Sequence, residues 1–272
     1  MSNLITGAFM GGLGNQLFQA AHALAQGWKH NREVIFVPNS FTPGQGRNAV
    51  NYVDNIFHTL KFIDEFVDYT VVDEGTFHYA GVEPVDGNTA FQGYYQSTKN
   101  WFGYQDSIRL MFQPNEATDT YFFEKYPQLK EPNTLSLHVR RSEYLLLSET
   151  HPTITLEYIQ EALKVIGNYS TVFIFSDDRQ WVKNNLNLPS AVFVNEPQDY
   201  LELWLMSKCT NHIMSNSTFS WWGTFLNKNS NKKIVAPSVW FGPKGPNSKD
   251  IYEPYWNLIS VEYNNGQLNT LK

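Results

Sequence analysis

At 272 residues and 31.4 kDa the chain has room for two modest domains or one large α/β domain, and 42% hydrophobic with 17% charged residues excludes a disordered chain. A net charge of −6 and a pI near 5.6 exclude an extended nucleic-acid-binding face, although a phosphate-bearing small ligand needs only a few local cations. The single cysteine, Cys209, excludes an internal disulfide and suits a reducing compartment, as a buried filler near Met206 and Ile213. No apolar run approaches the roughly 20 residues that cross a bilayer, and no basic segment precedes a long apolar stretch at the N-terminus, so the expectation is a soluble, cytoplasmic protein without a transmembrane segment. Aromatic residues make up 15% of the chain, which serves either a dense core or a sugar-stacking surface.

Leu4 to Met10 is an apolar run ending in Gly11-Gly12-Leu13-Gly14, and Asn15 to His30 is patterned as an amphipathic helix. Val34 to Val37 follows as a buried strand. This strand, glycine loop, helix and strand open a doubly wound α/β unit. The glycine loop lacks the G-x-G-x-x-G spacing, and no acid closes the next strand, so a dehydrogenase site is excluded. From Pro38 to Pro114 the pattern is irregular and reads as loops and short elements around a cleft. Its aromatics Tyr52, Tyr94, Tyr95 and Trp101 serve either as sugar-stacking platforms or as core.

After a connector at Pro127–Pro132, strands are expected at Leu135–Val139, Thr171–Phe175, Val192–Val194, His212–Met214 and Ile234–Ala236. Helices are expected at Thr155–Ile166, Trp181–Leu186, Asp199–Cys209 and Phe219–Leu226. Such alternation implies a parallel sheet covered on both faces, with ligands beyond the carboxyl ends of its strands. Three polar clusters follow apolar strands directly, at 138–143, 176–178 and 215–220, and are expected to converge on one edge.

In the first cluster, alternation places His138 and Arg140 on one strand face and Arg141 on the other. An arginine at a strand end has the fork geometry for phosphate oxygens, or is simply solvated. In the third, Ser217 or Thr218 caps a helix whose first-turn amides are able to hold an anion. In the second, Asp177 and Asp178 are left to recognise a base or ribose, or to cap the next helix. The Asp-x-Asp triplet that holds a cation in metal-dependent transferases is absent, and no zinc-ligand, P-loop or G-x-S-x-G pattern occurs.

Four segments occur in one order: Gly12-Leu13-Gly14-Asn15-Gln16-Leu17-Phe18-Gln19-Ala20, His138-Val139-Arg140-Arg141-Ser142-Glu143-Tyr144, Phe175-Ser176-Asp177-Asp178, and Ser215-Asn216-Ser217-Thr218-Phe219-Ser220-Trp221-Trp222-Gly223. Together with Gly93-Tyr94-Tyr95-Gln96-Ser97 and Ile234-Val235-Ala236-Pro237, followed by Trp240-Phe241, they resemble the family 11 glycosyltransferases, the galactoside α-1,2-fucosyltransferases. The resemblance implies an α/β fold of GT-B type, with two Rossmann-like domains facing a cleft. The expected division is an acceptor-side domain at 1–130 and a GDP-sugar-binding domain at 131–272, with the last residues free to pack back on the first domain. It also implies GDP-L-fucose as donor, an oligosaccharide acceptor, inversion, and no metal or other cofactor.

Carried onto these residues, the resemblance gives His138 a part in reading guanine, and Arg140 the diphosphate. Arg141 would support the loop or reach the phosphates. Asp177 or Asp178 would accept from the base. Asn216, Ser217, Thr218 and Phe219 belong to the donor-binding segment, the last three presenting amides to the phosphates. Gly12, Gly14, Asn15 and Gln16 would border the fucose and acceptor. The family pattern H-x-R-R-x-D-Y departs here to Ser142-Glu143, so Glu143 stands either as general base or as the group that orients Arg140. Asp64, Glu65 and the acids near Asp73 are the other candidate bases. Two alternatives remain in view: a transferase for another nucleotide sugar, and a non-catalytic sugar-binding module.

Overall fold

The computed structural model describes residues 3–37, 48–64 and 67–271. The chain forms two compact units, Met1–Gln113 with Asn247–Tyr252, and Pro114–Pro246 with Glu253–Lys272. The division expected near residue 130 thus falls at Gln113/Pro114. The reason lies in α3 (Glu116–Lys125) and the turn after it. There the Tyr121 and Tyr126 hydroxyls donate to Glu196 at 2.8 and 2.6 Å, which ties both to the second unit.

In the first unit β1 (Ile5–Gly7), β2 (Thr70–Asp73) and β3 (Thr89–Gln92) form a parallel sheet in the order β1-β3-β2. Single parallel bridges, Ile5 to Val34 and Phe36 to Phe62, extend it beyond β1. The strand expected at Val34–Val37 is therefore reduced to isolated bridges. The apolar run at Leu4–Met10 likewise yields only three strand residues. At its end the Gln19 side chain replaces a partner strand, accepting from Met10 N at 2.9 Å and donating to Met10 O at 3.2 Å.

Helix α1 (Leu13–His30) packs on this sheet through small residues. Gly7 lies against it so closely that a Cβ there would stand 3.3 Å from Gln19 O. The helix stops at Asn31, which turns left-handed at φ 50, with Lys29 and His30 in the last turn where the helix dipole favours cations. The 38–114 stretch is more regular than its sequence implied, since it holds β2, β3 and α2 (Gln105–Met111). β2 escapes a hydrophobic pattern because it is a sheet edge with mostly exposed residues. Tyr52, Tyr95 and Trp101 are buried in the core and do not form sugar platforms; Tyr94 is half-buried. Asn247–Tyr252 is fastened to this unit by Asp250, which pairs with Lys99 at 2.6 Å and accepts from Tyr79 N at 3.0 Å.

The second unit is built on β4 (Leu135–Val139), β6 (Val172–Ser176), β7 (Ala191–Phe193), β8 (Asn211–Ile213), β9 (Ile234–Pro237) and β10 (Asn257–Ile259). All pairings are parallel, in the order β10-β9-β8-β4-β6-β7. Between β4 and β6 lie α4 (Ser142–Leu146), β5 (Thr153–Ile154) and α5 (Leu156–Ile166). The remaining crossovers are α6 (Arg179–Asn185), α7 (Asp199–Lys208) and α8 (Thr218–Leu226). β4 and β6 are buried along their whole length, as strands covered on both faces must be.

Leu135, Leu137 and Val139 pack with Tyr158, Ile159 and Ala162 of α5; each such side chain contributes roughly 1.5–3 kcal/mol by leaving water. α8 approaches α7 at Gly223, where any Cβ would meet Met206 Sδ at 2.3 Å. β11 (Val261–Asn264) and β12 (Gln267–Thr270) make a hairpin through Asn265 and Gly266, both at positive φ, and β12 pairs with β5. Cys209 is buried, and burial pushes its thiol pKa up, as suits an inert filler. No helix among the described residues is long and apolar enough to cross a membrane.

Candidate functional site

β4 is the hub of the second unit because β6 and β8 flank it, so the loops after these three strands meet. The three clusters singled out in the sequence are joined there by side-chain to backbone bonds. Ser215, just past β8, donates from Oγ to His138 O at 2.8 Å and accepts from Arg140 N at 3.0 Å. Asp177, the first residue past β6, accepts from Arg141 N at 2.8 Å through Oδ1 and from Ser142 N at 3.0 Å through Oδ2. Ser142 Oγ returns a bond to Asp177 O at 3.2 Å. Both flanking strands thus clamp the chain on either side of Arg140.

The guanidinium of Arg140 is held in turn. Its Nη2 lies 2.7 Å from Glu143 Oε2, its Nη1 3.2 Å from Asp177 Oδ2, and its Cζ 5.7 Å from the centroid of the Tyr144 ring. The Arg140 side chain keeps 29% exposure, so the group is braced yet reachable. Tyr144 is fixed by its hydroxyl, which donates to Asn216 O at 3.0 Å, and by stacking on His151 at 4.9 Å. Burial pushes the Tyr144 hydroxyl up to about 12, against the opposing pull of Arg140.

Arg141 turns the other way, as strand alternation requires. Its Cζ sits 3.9 Å over the Trp181 ring and its Nε 3.3 Å from Asp178 Oδ2. Asp178 also caps α6 by accepting from Trp181 N at 3.1 Å. The two aspartates are therefore engaged by the protein itself: Asp177 holds the loop, and Asp178 caps a helix and pairs with Arg141.

His138 is buried, its ring 5.4 Å from that of Phe219, and its Nδ1 finds no hydrogen-bond partner among the described residues. Burial pushes its pKa down to about 3, with Asp177 pulling up and Arg140 down, so the ring is neutral at physiological pH. Asn216 is buried behind the loop, its Nδ2 donating to Pro152 O at 3.0 Å and Trp240 O at 2.8 Å. Ser217 is the N-cap of α8, its Oγ accepting from Phe219 N at 3.3 Å, and Thr218 begins the helix. Half-exposed Arg140, neutral His138 and a helix N-terminus are thus gathered at one sheet edge. That grouping is suited to binding an anion beside a flat polar ring.

In the first unit Gly12 is the exposed N-cap of α1, Gly14 is buried in its first turn, and Gln16 Nε2 donates to Gly11 O at 3.1 Å. Asn15 is half-buried and accepts from Gln96 Nε2 at 3.1 Å. Of the other acids considered as bases, Asp73 Oδ1 accepts from Gly75 N at 2.7 Å, and Glu65 lies outside the described residues. Sequence reasoning met Glu74 only among the acids near Asp73 and Gln96 only within the 93–97 motif, giving neither its observed contacts, and it passed over His151. Glu74 and Gln96 both lie just past strand ends, in a region without hydrophobic period, and His151 is an isolated histidine between elements.

A family model described as "Glycosyl transferase family 11" matches residues 49–260. An Escherichia coli protein named O-antigen biosynthesis glycosyltransferase WbnK is 33% identical over 178 residues; the match spans 60% of this chain and 58% of that protein. An α-1,2-colitosyltransferase, also from Escherichia coli, is 25% identical over 289 residues, covering 94% of this chain and 99% of that one. The fucosyltransferase NodZ from Bradyrhizobium aligns with a TM-score of 0.54 at 14% identity, over 82% of this chain and 92% of that chain. At that identity the likeness concerns the fold, α/β with parallel sheets, of the GT-B type.

Proposed function

The chain belongs to glycosyl transferase family 11, and from that premise we propose that it transfers L-fucose from GDP-L-fucose to a galactoside hydroxyl, with an α-1,2 linkage, inversion and no metal. The observation that carries this reading is the mounting of Arg140. It is a partly exposed guanidinium at the carboxyl edge of a parallel sheet, clamped through its own backbone by Ser215 and through its side chain by Asp177 and Glu143. A cation fixed in this way needs no rearrangement as charge builds on a departing diphosphate, which is where electrostatic catalysis acts.

The remaining roles follow from position. His138, neutral and with a ring nitrogen unmatched by the described protein groups, is assigned to the guanine. The N-terminus of α8, at Ser217, Thr218 and Phe219, is assigned to the phosphates, and Asn216 supports it from behind. Arg141, Asp177 and Asp178 act as the frame. Gly12, Gly14, Asn15 and Gln16 are assigned to the fucose and acceptor side. In a single displacement the acceptor hydroxyl attacks the anomeric carbon as GDP leaves, through an oxocarbenium-like state resembling that of glycoside hydrolysis.

A colitosyl donor is the second reading, favoured by the colitosyltransferase relative that spans almost the whole chain. The deciding experiment incubates the purified protein, with EDTA present, with a panel of GDP- and UDP-sugars and a galactoside acceptor. Products are then examined for linkage and anomeric configuration by NMR. Transfer from GDP-L-fucose giving an α-1,2 product is expected. Turnover restricted to UDP-sugars overturns the reading, and absence of both transfer and donor hydrolysis points to a binding module.

A further inference from the structure

The carboxyl edge of the first unit's sheet holds a buried acid that the donor-side residues do not involve. Glu74 is the first residue past β2, and its amide extends the ladder to Gln92 O at 2.8 Å. Its side chain turns inward, leaving the residue 6% exposed, and Oε2 accepts from Tyr94 N at 2.7 Å and Tyr95 N at 2.9 Å. The loop after β3 closes directly over this carboxylate: a Cβ at Gly93 would stand 2.4 Å from Glu74 Cβ and 2.8 Å from Oε2. Tyr95 is held at φ 51, a region that side-chain-bearing residues seldom occupy, and its ring stacks on His22 of α1 at 3.8 Å and 4°.

This conformation delivers Gln96, itself buried, to the start of α1, where its Nε2 donates to Asn15 Oδ1 at 3.1 Å. Asn15 lies just behind Gly11, whose φ of 76 and lack of a Cβ admit the Asn15 amide. A continuous relay therefore runs from Glu74 through residues 94–96 to Asn15.

The same device occurs, independently, in the second unit. There Asp177, the first residue past β6, accepts two consecutive amides from the loop after the neighbouring strand β4 and so fixes Arg140. Glu74 stands in the same relation to β2 and β3. A buried carboxylate is costly to desolvate and is retained where its hydrogen bonds fix a conformation.

We propose that Glu74 is a positioning residue for the sugar-receiving side: it sets the 93–96 loop so that Gln96 orients the Asn15 carboxamide toward a sugar hydroxyl. The proposal rests on the reading that residues 12–16 border the acceptor and fucose. A carboxamide fixed in one orientation distinguishes hydroxyl donors from acceptors, whereas a freely turning one does not.

The test compares wild type, Glu74→Ala, Glu74→Gln and Gln96→Ala in the full chain. For Glu74→Ala, acceptor KM is expected to rise about tenfold, the effect of roughly one lost polar contact, while donor KM and acceptor-free donor hydrolysis stay within about twofold. Glu74→Gln keeps an oxygen that is able to accept both amides, and its acceptor KM should return to within about threefold of wild type. An unchanged acceptor KM in folded Glu74→Ala, or equal impairment by Ala and Gln, overturns the proposal. If Glu74→Ala does not fold, Gln96→Ala decides: a raised acceptor KM at unchanged melting temperature supports the relay, and an unaltered one refutes it. Hydrogen exchange reads the same linkage without substrate. Glu74→Ala should quicken exchange in 93–97 and 11–16 together, and quickening in 93–97 alone refutes the relay. Failure of the fucosyltransferase reading shows separately, as a wild type inactive toward GDP-L-fucose.

Discussion

Replacing Arg140 by Ala separates a binding cation from a structural one. The fold should lose little. Glu143, the closer partner, is 73% exposed, so that pair contributes under about 1 kcal/mol. Asp177 keeps its two amide donors at 2.8 and 3.0 Å when the guanidinium is gone. A loss near 1 kcal/mol lowers the melting temperature of a chain this size by about 2–4 °C. The chemical effect is larger, because a preorganised charge removed from a developing oxyanion commonly costs roughly 3 kcal/mol, about a hundredfold in rate. Initial rates with a galactoside acceptor, GDP titration and a thermal melt, all on the same preparation, give the three numbers. Near-normal kcat/KM with an intact fold refutes the assignment. A rate loss matched by extensive unfolding refutes the claim that Arg140 acts chiefly on the substrate.

Glu143→Gln divides the two roles left to that residue: a pH–rate profile that loses its acidic limb identifies a base, and an unchanged profile at lower kcat identifies a group that orients Arg140. Asp177→Asn turns an amide group toward Arg141 N or Ser142 N, and a mismatch of that kind costs roughly 1–3 kcal/mol. Donor KM and kcat should both worsen, and normal donor kinetics would show that the loop holds itself. Acid should weaken the fold. Burial pushes His22, His138 and His212 down to about 3, with Lys232 also lowering His212, whereas in the unfolded chain they titrate near 6.5. Their contribution is complete above pH 6.5 and declines by about 1.4 kcal/mol per unit for each histidine as pH falls toward 3. Glu74 and Glu202, raised mainly by burial, act in the opposite sense over the range just above normal carboxylate pKa values. Urea midpoints at pH 7.5 and 5.5 give the net of these opposing contributions. NMR titration of the ring protons isolates the histidines, and a ring titrating near 6.5 in the folded chain refutes its neutral burial.

The second unit's strand-end clusters were legible because their motifs ride on a sheet covered on both faces. Leu135–Val139 and Thr171–Phe175 announce themselves as apolar runs, and the polar residues that end them must then lie at the sheet edge. Partners were harder to read than positions. Nothing in the sequence distinguishes Asp177 reaching a ligand from Asp177 accepting from Arg141 and Ser142, since a turn residue satisfies either. In the first unit the signal failed earlier. β2 is an exposed edge and β3 only four residues long, so neither carries a hydrophobic period, and the aromatics that suggested a sugar platform at Tyr52, Tyr95 and Trp101 are the unit's own core. The hairpin at Asn265-Gly266 carried a readable turn signal, but its strands are only four residues each, too short for the alternation in Val261–Asn264 to stand out.

The recurrence of one device in both units explains why an acid directly follows an apolar or edge strand at each of these places. A parallel sheet ends each strand with unpaired amides in the following loop, and those amides must find acceptors. When a neighbouring strand ends in an acid, two amides are satisfied at once and the loop takes a single conformation. Asp177 does this for the loop that carries Arg140, and Glu74 for the loop that carries Gln96. The acid's worth is therefore measured by what the neighbouring loop carries, and removing it should disturb kinetics more than melting temperature. At Asp177 the disturbed constant is the donor's, and at Glu74 the acceptor's. Exchange of those two outcomes between the variants would break the link between the device and the two halves of the reaction.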